Sequence, residues 1–287
     1  MDLCNVQEVR QLLARHGFHF SKARGQNFLV APWVPREIVR QSGVGPDCGV
    51  LEIGPGIGPL TRELAGQAAK VAAVEVDRTL APVLGETLGE FANVEVLWQD
   101  ILQVDIPGLV RDRFAGLRPM ACANLPYYIT TPVVTALLEA GCFSAVTVMV
   151  QKEVAQRMAA RPGTQAYGAF SLFCQYYAQP KLLFDVPPDC FLPRPKVTSA
   201  VVQLSVRSGP PCPVADEALF FRVVRAAFGQ RRKQLQNALS AGFPRLGKEN
   251  LSRLLTACGV SPAARGETLD IAAFARIANA LAEQEDG

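Results

Sequence analysis

The sequence predicts an α/β fold: a mostly parallel sheet with helices on both faces, followed by a small all-helical domain. Short apolar runs alternate with helical stretches from residue 49 onward. That is the pattern of βαβ units whose strands are covered on both sides. A Ser-Gly-Pro-Pro-Cys-Pro run at 208–213 reads as a linker. Beyond it the apolar spacing is helical throughout. These observations divide the chain into domains at 1–207 and 208–287.

The elements follow in order. NVQEVRQLLARH (5–16) has helical spacing, with Val9, Leu12 and Leu13 on one side. The loop SKARGQNFLV (21–30) leads to a second helical stretch at Pro35–Gln41. VLEIGP (50–55) reads as a buried strand and Pro59–Gln67 as a helix. KVAAVEVD (70–77) is a second strand; Thr79–Phe91 is helical, weakened by Pro82 and Gly85. VEVLWQD (94–100) is a third strand, and ACANLPY (121–127) ends a fourth. Pro132–Gly141 is helical, SAVTVMV (144–150) is a fifth strand, and Lys152–Ala160 is helical again. LLFDV (182–186) and VTSAVVQLSV (197–206) read as strands added at one edge, separated by the proline-rich PPDCFLPRPK (187–196). The tail is three helices: 217–240, 248–260 and 269–284.

The composition, 49% hydrophobic and 19% charged over 287 residues, is that of a folded globular protein. The net charge of +3 permits a nucleic-acid partner without indicating one. No signal peptide and no membrane span is expected, because no apolar run approaches the roughly 18 residues a span needs. The eight cysteines are scattered, without a Cys-x-x-Cys pair, so no metal site is expected. We expect them to act as small buried hydrophobes in a reduced cytoplasm.

EIGPGIGPLT (52–61) is the most informative short stretch. Gly54, Gly56 and Gly58 follow a strand end, where the backbone must turn tightly and approach a ligand. Glu75, at the end of the next strand, is suited to accept both ribose hydroxyls of an adenosine-containing ligand. A dinucleotide would want G-x-G-x-x-G, but Pro59 stands where its third glycine would be. S-adenosylmethionine carries no phosphate, and a loop starting with Glu52 suits a cation. The loop alone leaves both ligands open, along with a plain strand-helix turn. Asp100 ends the third strand and is placed to accept from an adenine amino group, or to cap a turn. Asp77 and Asp105 are weaker candidates.

Asn124-Leu125-Pro126-Tyr127 follows the fourth strand, at the edge where open α/β sheets bind ligands. Its residue types suit methylation of an aromatic amine. Such a nitrogen is a poor nucleophile because its lone pair is delocalised into the ring. Two acceptors, the Asn124 side-chain oxygen and the Leu125 carbonyl, would favour a more tetrahedral nitrogen. Pro126 stiffens the turn, and Tyr127 offers a face for an extruded base.

With these residues in view, the chain resembles the rRNA adenine N6-dimethyltransferase family of the KsgA type. The resemblance spans nearly the whole chain. It rests on GQNFL (25–29), EIGPGIGPLT (52–61), VEVD (74–77), NLPYYITTP (124–132), FLPRPKVTSAVV (191–202) and AAFGQRRKQLQNAL (226–239). It implies a Rossmann-like S-adenosylmethionine-dependent methyltransferase sheet with a helical, rRNA-binding C-terminal domain. It implies that Asn27, Leu29, Gly54, Gly56, Glu75, Asp100 and Asn124 surround S-adenosylmethionine. Phe191 is implied to join Tyr127 in holding the base. The implied product is N6,N6-dimethyladenosine at two adjacent adenosines in a hairpin loop near the 3′ end of 16S rRNA. The implied partner is a partly assembled small ribosomal subunit, met by a monomer.

Basic residues gather at Lys22 and Arg24, at Arg194 and Lys196, and at Arg222, Arg225, Arg231, Arg232 and Lys233. On the third, a helix, positions 222, 225 and 232 are expected to share a face, a stripe suited to phosphates or simply to water. Three rivals remain. An antibiotic-resistance methyltransferase acting on large-subunit rRNA shares the motifs, but the long helical tail favours the small subunit. A nicotinamide-dependent dehydrogenase leaves NLPY unexplained and finds no proton donor, since His16 and His19 lie upstream of the sheet. A non-catalytic RNA-binding assembly or transcription factor that keeps the fold would have no need of an intact NLPY.

Overall fold

The computed structural model describes residues 1–20 and 25–285; the basic pair Lys22 and Arg24 lies outside the described residues. Seven strands form the main sheet: β1 Cys48–Ile53, β2 Lys70–Glu75, β3 Val94–Trp98, β4 Arg118–Asn124, β5 Ala145–Gln151, β6 Ala178–Val186 and β7 Ser199–Val206. Their order is β3-β2-β1-β4-β5-β7-β6. The first five run parallel. β7 lies antiparallel to β5, from Ala145↔Ser205 to Gln151↔Ser199. Chain order reverses between β1 and β4, so a crevice opens beyond their carboxyl ends. A separate pair of short strands joins Phe28–Leu29 to Phe191–Leu192.

The helices follow from apolar spacing and caps. In α1 (Val6–Arg15), the Asn5 side chain accepts from Gln7 N at 2.9 Å. Its Val9, Leu12 and Leu13 pack with Val83, Leu84 and Leu88 of α4 (Ala81–Leu88). α2 (Trp33–Ser42) and α3 (Pro59–Ala65) cover one sheet face, with Val34, Ile38, Leu60 and Leu64 against Val50, Val71, Met120 and Cys122. Two helices lie outside the sequence expectation, one at Ala169–Tyr177 described below and α5 (Ile106–Arg113), which is capped by Asp105, whose carboxylate accepts from Gly108 N at 3.1 Å. α6 (Thr130–Glu139) returns the chain from β4 to β5. Gly49 in β1 is glycine for packing: a Cβ there would sit 2.4 Å from the Phe114 ring.

The chain divides into two compact units, Met1–Ala155 with Lys181–Val206, and Gln156–Pro180 with Arg207–Gly287. This differs from a single boundary at 207, because 156–180 belongs with the tail. Both α7 (Lys152–Met158) and β6 straddle a boundary. The reason is apolar content. Tyr167 and, on α8 (Ala169–Tyr177), Leu172 and Tyr176 share one core with Phe220, Leu239, Leu255 and Phe274. The Tyr167 hydroxyl donates to the Leu269 carbonyl at 2.9 Å, and the Tyr176 and Phe220 rings stack at 5.0 Å.

The run 217–240 is two helices, not one: α9 (Glu217–Gly229) ends at its glycine and α10 (Leu235–Gly242) begins six residues on. α11 (Gly247–Ala257) and α12 (Ile271–Glu285) complete the unit. The break places Arg231, Arg232 and Lys233 in a turn. The proposed face shared by 222, 225 and 232 therefore does not exist.

Candidate active site

A cleft of about 240 Å³ opens at the carboxyl ends of β1, β2, β3 and β4. Asn27, Leu29, Gly54, Gly56, Glu75, Asp100, Asn124, Leu125 and Tyr127 all line it. The segment 25–29, the loops after β1, β3 and β4, and the ends of β2 and β4, far apart in sequence, thus meet around one space.

The glycine loop needs its glycines. Gly54 and Gly56 have φ of 68° and 60°, in the left-handed region. A Cβ on Gly56 would approach the Phe28 ring to 3.1 Å, and one on Gly58 would meet Leu88 at 2.9 Å. Gly54 N donates to the Val74 carbonyl at 2.9 Å, which fixes the turn beside β2.

Glu75 is 7% exposed, and its Oε1 accepts from Asp77 N at 2.8 Å. Burial raises its pKa, opposed by backbone N–H donors including Gly56 and Asp77. Asp77 itself is structural: it accepts from Thr79 N at 3.1 Å and from Gln26 Nε2 at 2.8 Å. The Gln26 bond ties the N-terminal loop to the end of β2, a role the sequence did not reveal although Gln26 lies inside GQNFL. Asp100 is exposed, and its Oδ1 accepts from Leu102 N at 3.0 Å. It is thus both turn cap and cleft residue.

Glu52 is 1% exposed, and among the described residues its Oε2 accepts from no donor. Burial pushes its pKa up to about 8, with the Thr61 hydroxyl opposing and the Glu75 charge reinforcing. An acid whose folded pKa exceeds its unfolded one binds more protons folded than unfolded between the two values. Its contribution to stability is intact below the ordinary carboxylate range and is lost as pH rises toward 8. The melting temperature of the ligand-free chain is therefore expected to fall between about pH 4.5 and 8. In Glu52→Gln that decline should flatten, leaving the variant several degrees more stable at pH 8.5, at about 2–4 °C per kcal/mol. Parallel melting curves for the two proteins across that range would refute this.

In the catalytic loop, Asn124 Nδ2 donates to the Asn27 carbonyl at 3.4 Å, and its Oδ1 takes no bond from any described residue. Leu125 N is held by the Met149 carbonyl at 3.1 Å. The turn that follows bonds to the Pro126 carbonyl, through Ile129 N at 3.2 Å, and leaves the Leu125 carbonyl out. Two acceptors therefore remain available at the end of β4. The Tyr127 hydroxyl lies 2.8 Å from Ser199 Oγ.

Phe191 is a correction. It does not line the cleft; it is 4% exposed and packs in the core with Leu29, Val34 and Ile38. Its backbone pairs with Leu29, and both side chains belong to that core. The apolar walls of the cleft were missed: Val76 and Leu102 line it at 55% and 44% exposure. Nothing in the sequence distinguishes an exposed strand-end valine from a core one.

The basic residues differ in availability. Arg194 pairs with Asp189 at 2.7 Å, and Lys196 is exposed. Arg225, Arg232 and Lys233 are exposed, while Arg222 lies 4.4 Å over the Phe243 ring. Arg231 bonds to Glu267 at 2.9 Å and to the carbonyls of Gln165 and Tyr167 at 2.6 and 3.1 Å. Its guanidinium holds three segments together, and its side chain stays 45% exposed. Among the described residues no acidic, His or Cys cluster is placed to hold a metal, and no helix is long and apolar enough to cross a membrane. His16 is paired with Glu86 at 2.7 Å, away from the cleft.

The donor set fits S-adenosylmethionine. A strand-end carboxylate, glycines that let backbone approach, apolar walls and a buried carboxyl lacking a donor match a sulfonium nucleoside with an amino-acid tail. The helix after the loop, α3, opens on Pro59, where a dinucleotide-binding loop would carry its third glycine.

Comparison with known proteins agrees. Residues 17–283 match the family described as ribosomal RNA adenine dimethylase. Ribosomal RNA small subunit methyltransferase A of Geobacillus thermodenitrificans is 46% identical, over 98% of this chain and 97% of its own. Its namesake in Alkaliphilus oremlandii is 44% identical, over 98% and 99%. Among solved structures, the 23S rRNA methyltransferase ErmE matches with a TM-score of 0.69 at 27% identity, over 89% of this chain and all of its own (100%). A dimethyladenosine transferase from Plasmodium falciparum, at 24% identity and a TM-score of 0.71 over 90% and 98%, shares the fold. The chain belongs to the ribosomal RNA adenine dimethylase family, enzymes that draw their methyl groups from S-adenosylmethionine.

Proposed function

We propose that this enzyme dimethylates N6 of two adjacent adenosines in a hairpin loop near the 3′ end of 16S rRNA, within a partly assembled small subunit. The observation that supports this most is that Gly54, Glu75, Asp100 and Asn124 line a single cleft. Relatives at 44–46% identity carry the small-subunit name. The helical tail is a weaker argument than expected, because a 23S rRNA methyltransferase matches over 89% of the chain. Large-subunit RNA is therefore the second reading.

Glu75 would hold the cofactor ribose, Asp100 its adenine, and the Gly54–Gly56 turn with Asn27 and Leu29 its amino-acid end. When bound, the cofactor supplies an electrophilic methyl on sulfur. The chain's own work is orientation. Asn124 Oδ1 and the Leu125 carbonyl accept the two N6 hydrogens, and the lone pair is thereby localised. Tyr127 stacks on the extruded adenine, for about 1–3 kcal/mol. The proton leaves after the methyl has arrived, so no base must act first. Alignment at a reacting distance of about 3–3.5 Å supplies roughly 7–11 kcal/mol of the barrier reduction. A loop nucleotide costs less to extrude than a paired one. Arg194, Lys196, Arg222, Arg225, Arg231, Arg232 and Lys233 contact phosphate. The protein acts as a monomer in the cytoplasm, and its second unit contributes to rRNA binding during small-subunit maturation.

The test is transfer of radiolabelled methyl to small or large subunits lacking the modification. Label recovered as N6,N6-dimethyladenosine in small-subunit RNA is expected. Label confined to large-subunit RNA would transfer the assignment to the second reading.

A further inference from the structure

Phe191, the aromatic that opens FLPRPKVTS, is committed to the core. The residue that closes the motif is the one in contact with the site. Ser199 is the first residue of β7, paired in register with Gln151 of β5. It is fully buried, at 0% exposure, and its hydroxyl lies 2.8 Å from the Tyr127 hydroxyl. The preceding carbonyl, of Thr198, accepts from Lys152 N at 3.0 Å, which pins the start of β7 to the end of β5. Ser199 is therefore carried on a rigid element.

We infer that Ser199 is a positioning residue for methyl transfer, tethering the Tyr127 hydroxyl so that the ring is held ready for the target base. The inference rests on Tyr127 serving as the stacking face. Stacking uses only the ring, and phenylalanine would provide it equally. The hydroxyl therefore needs another purpose, and here it reaches a buried hydroxyl on a different strand. Tyr127 is held at its backbone by the turn Tyr127–Ile129 and at its tip by Ser199. With both ends fixed, its two side-chain torsions are set before RNA arrives, the preorganisation that orientation-based catalysis requires. Burial raises the Tyr127 pKa, with Ser199 opposing, so the hydroxyl stays neutral and able to donate or accept at physiological pH. Removing either hydroxyl leaves the other without its partner.

The experiment is a double-mutant cycle on the full chain, with unmodified small subunits and labelled S-adenosylmethionine. Ser199→Ala and Tyr127→Phe are each expected to lower kcat about 10-fold, since small misplacement of a reacting group is costly. Affinity for S-adenosylmethionine should stay within about twofold of the parent, and the double variant should be no slower than either single one. Tyr127→Phe removes the same bond without touching β7, so the test survives a misfolded Ser199→Ala. Losses that multiply in the double variant, an undiminished kcat in either single variant, or a parallel loss of cofactor affinity would each overturn the inference. Tyr127→Ala separates the two levels. If it is nearly inactive while Ser199→Ala and Tyr127→Phe run at full rate, stacking stands and the tether falls. If Tyr127→Ala retains full rate, the stacking role fails and the tether fails with it.

Discussion

Replacing Asn124 by alanine is expected to reduce kcat by about 10²–10³-fold, the scale for losing one preorganised polar group at a reacting centre. Cofactor affinity should change little, because Glu75, Asp100 and the glycine loop remain. Asn124 Oδ1 is unengaged by described residues, while Nδ2 donates to the Asn27 carbonyl at 3.4 Å. The amide is thus oriented through one atom and available through the other. Asn124→Asp should recover little, because an oxygen in place of the donor would repel the Asn27 carbonyl. The measurement is single-turnover transfer alongside calorimetric binding of S-adenosylmethionine. Equal losses in rate and affinity would show that Asn124 serves the cofactor and not the amine.

The opposite partition is expected at Glu75. Glu75→Ala should raise the KM for S-adenosylmethionine about 100-fold while kcat at saturation stays within a few-fold, the signature of lost uniform binding. Two hydrogen bonds to a charged group, each contributing about 1.5–3 kcal/mol, bring a loss of that size within range. Part of it has a structural origin, because Glu75 Oε1 also accepts from Asp77 N, and Asp77 in turn holds Gln26. Glu75→Gln keeps an acceptor for Asp77 and should lose only about 10-fold. Steady-state kinetics with cofactor varied at saturating RNA decides the matter. A fall in kcat with KM unchanged would remove Glu75 from the ribose.

The contrast between these residues shows what sequence could reveal. The parallel strands were legible because both faces are covered, so β1 and β5 read as mainly apolar runs, interrupted only by Glu52 in one and by Thr147 and Gln151 in the other. The site was legible where special chemistry has a special residue: left-handed turns call for glycine, and strand-end acids are rare in apolar surroundings. Legibility failed where position depends on packing. Phe191 carries the same letters whether its ring faces a base or the core, and only the side chains packed around it decide. The break after Gly229 was hidden because its flanks, AAFG and QLQN, each keep helical spacing. α5 was announced by Asp105 and Pro107, a cap and a first-turn proline, but its apolar spacing is weak. Residues 161–180 were unassigned, because aromatic content shows that a segment is buried and not with which partners.

That last segment has a practical consequence. The second unit is discontinuous along the chain, with Tyr167, Leu172 and Tyr176 synthesised well before Phe220, Leu255 and Phe274, the side chains that bury them. On the ribosome the early aromatics must wait, uncovered, until nearly the whole chain has emerged. A stop codon placed after residue 207 would leave a catalytic fragment displaying a permanent greasy stump. Anyone wanting the methyl-transferring half alone must excise 156–180 as well and bridge the gap from Ala155 to Lys181.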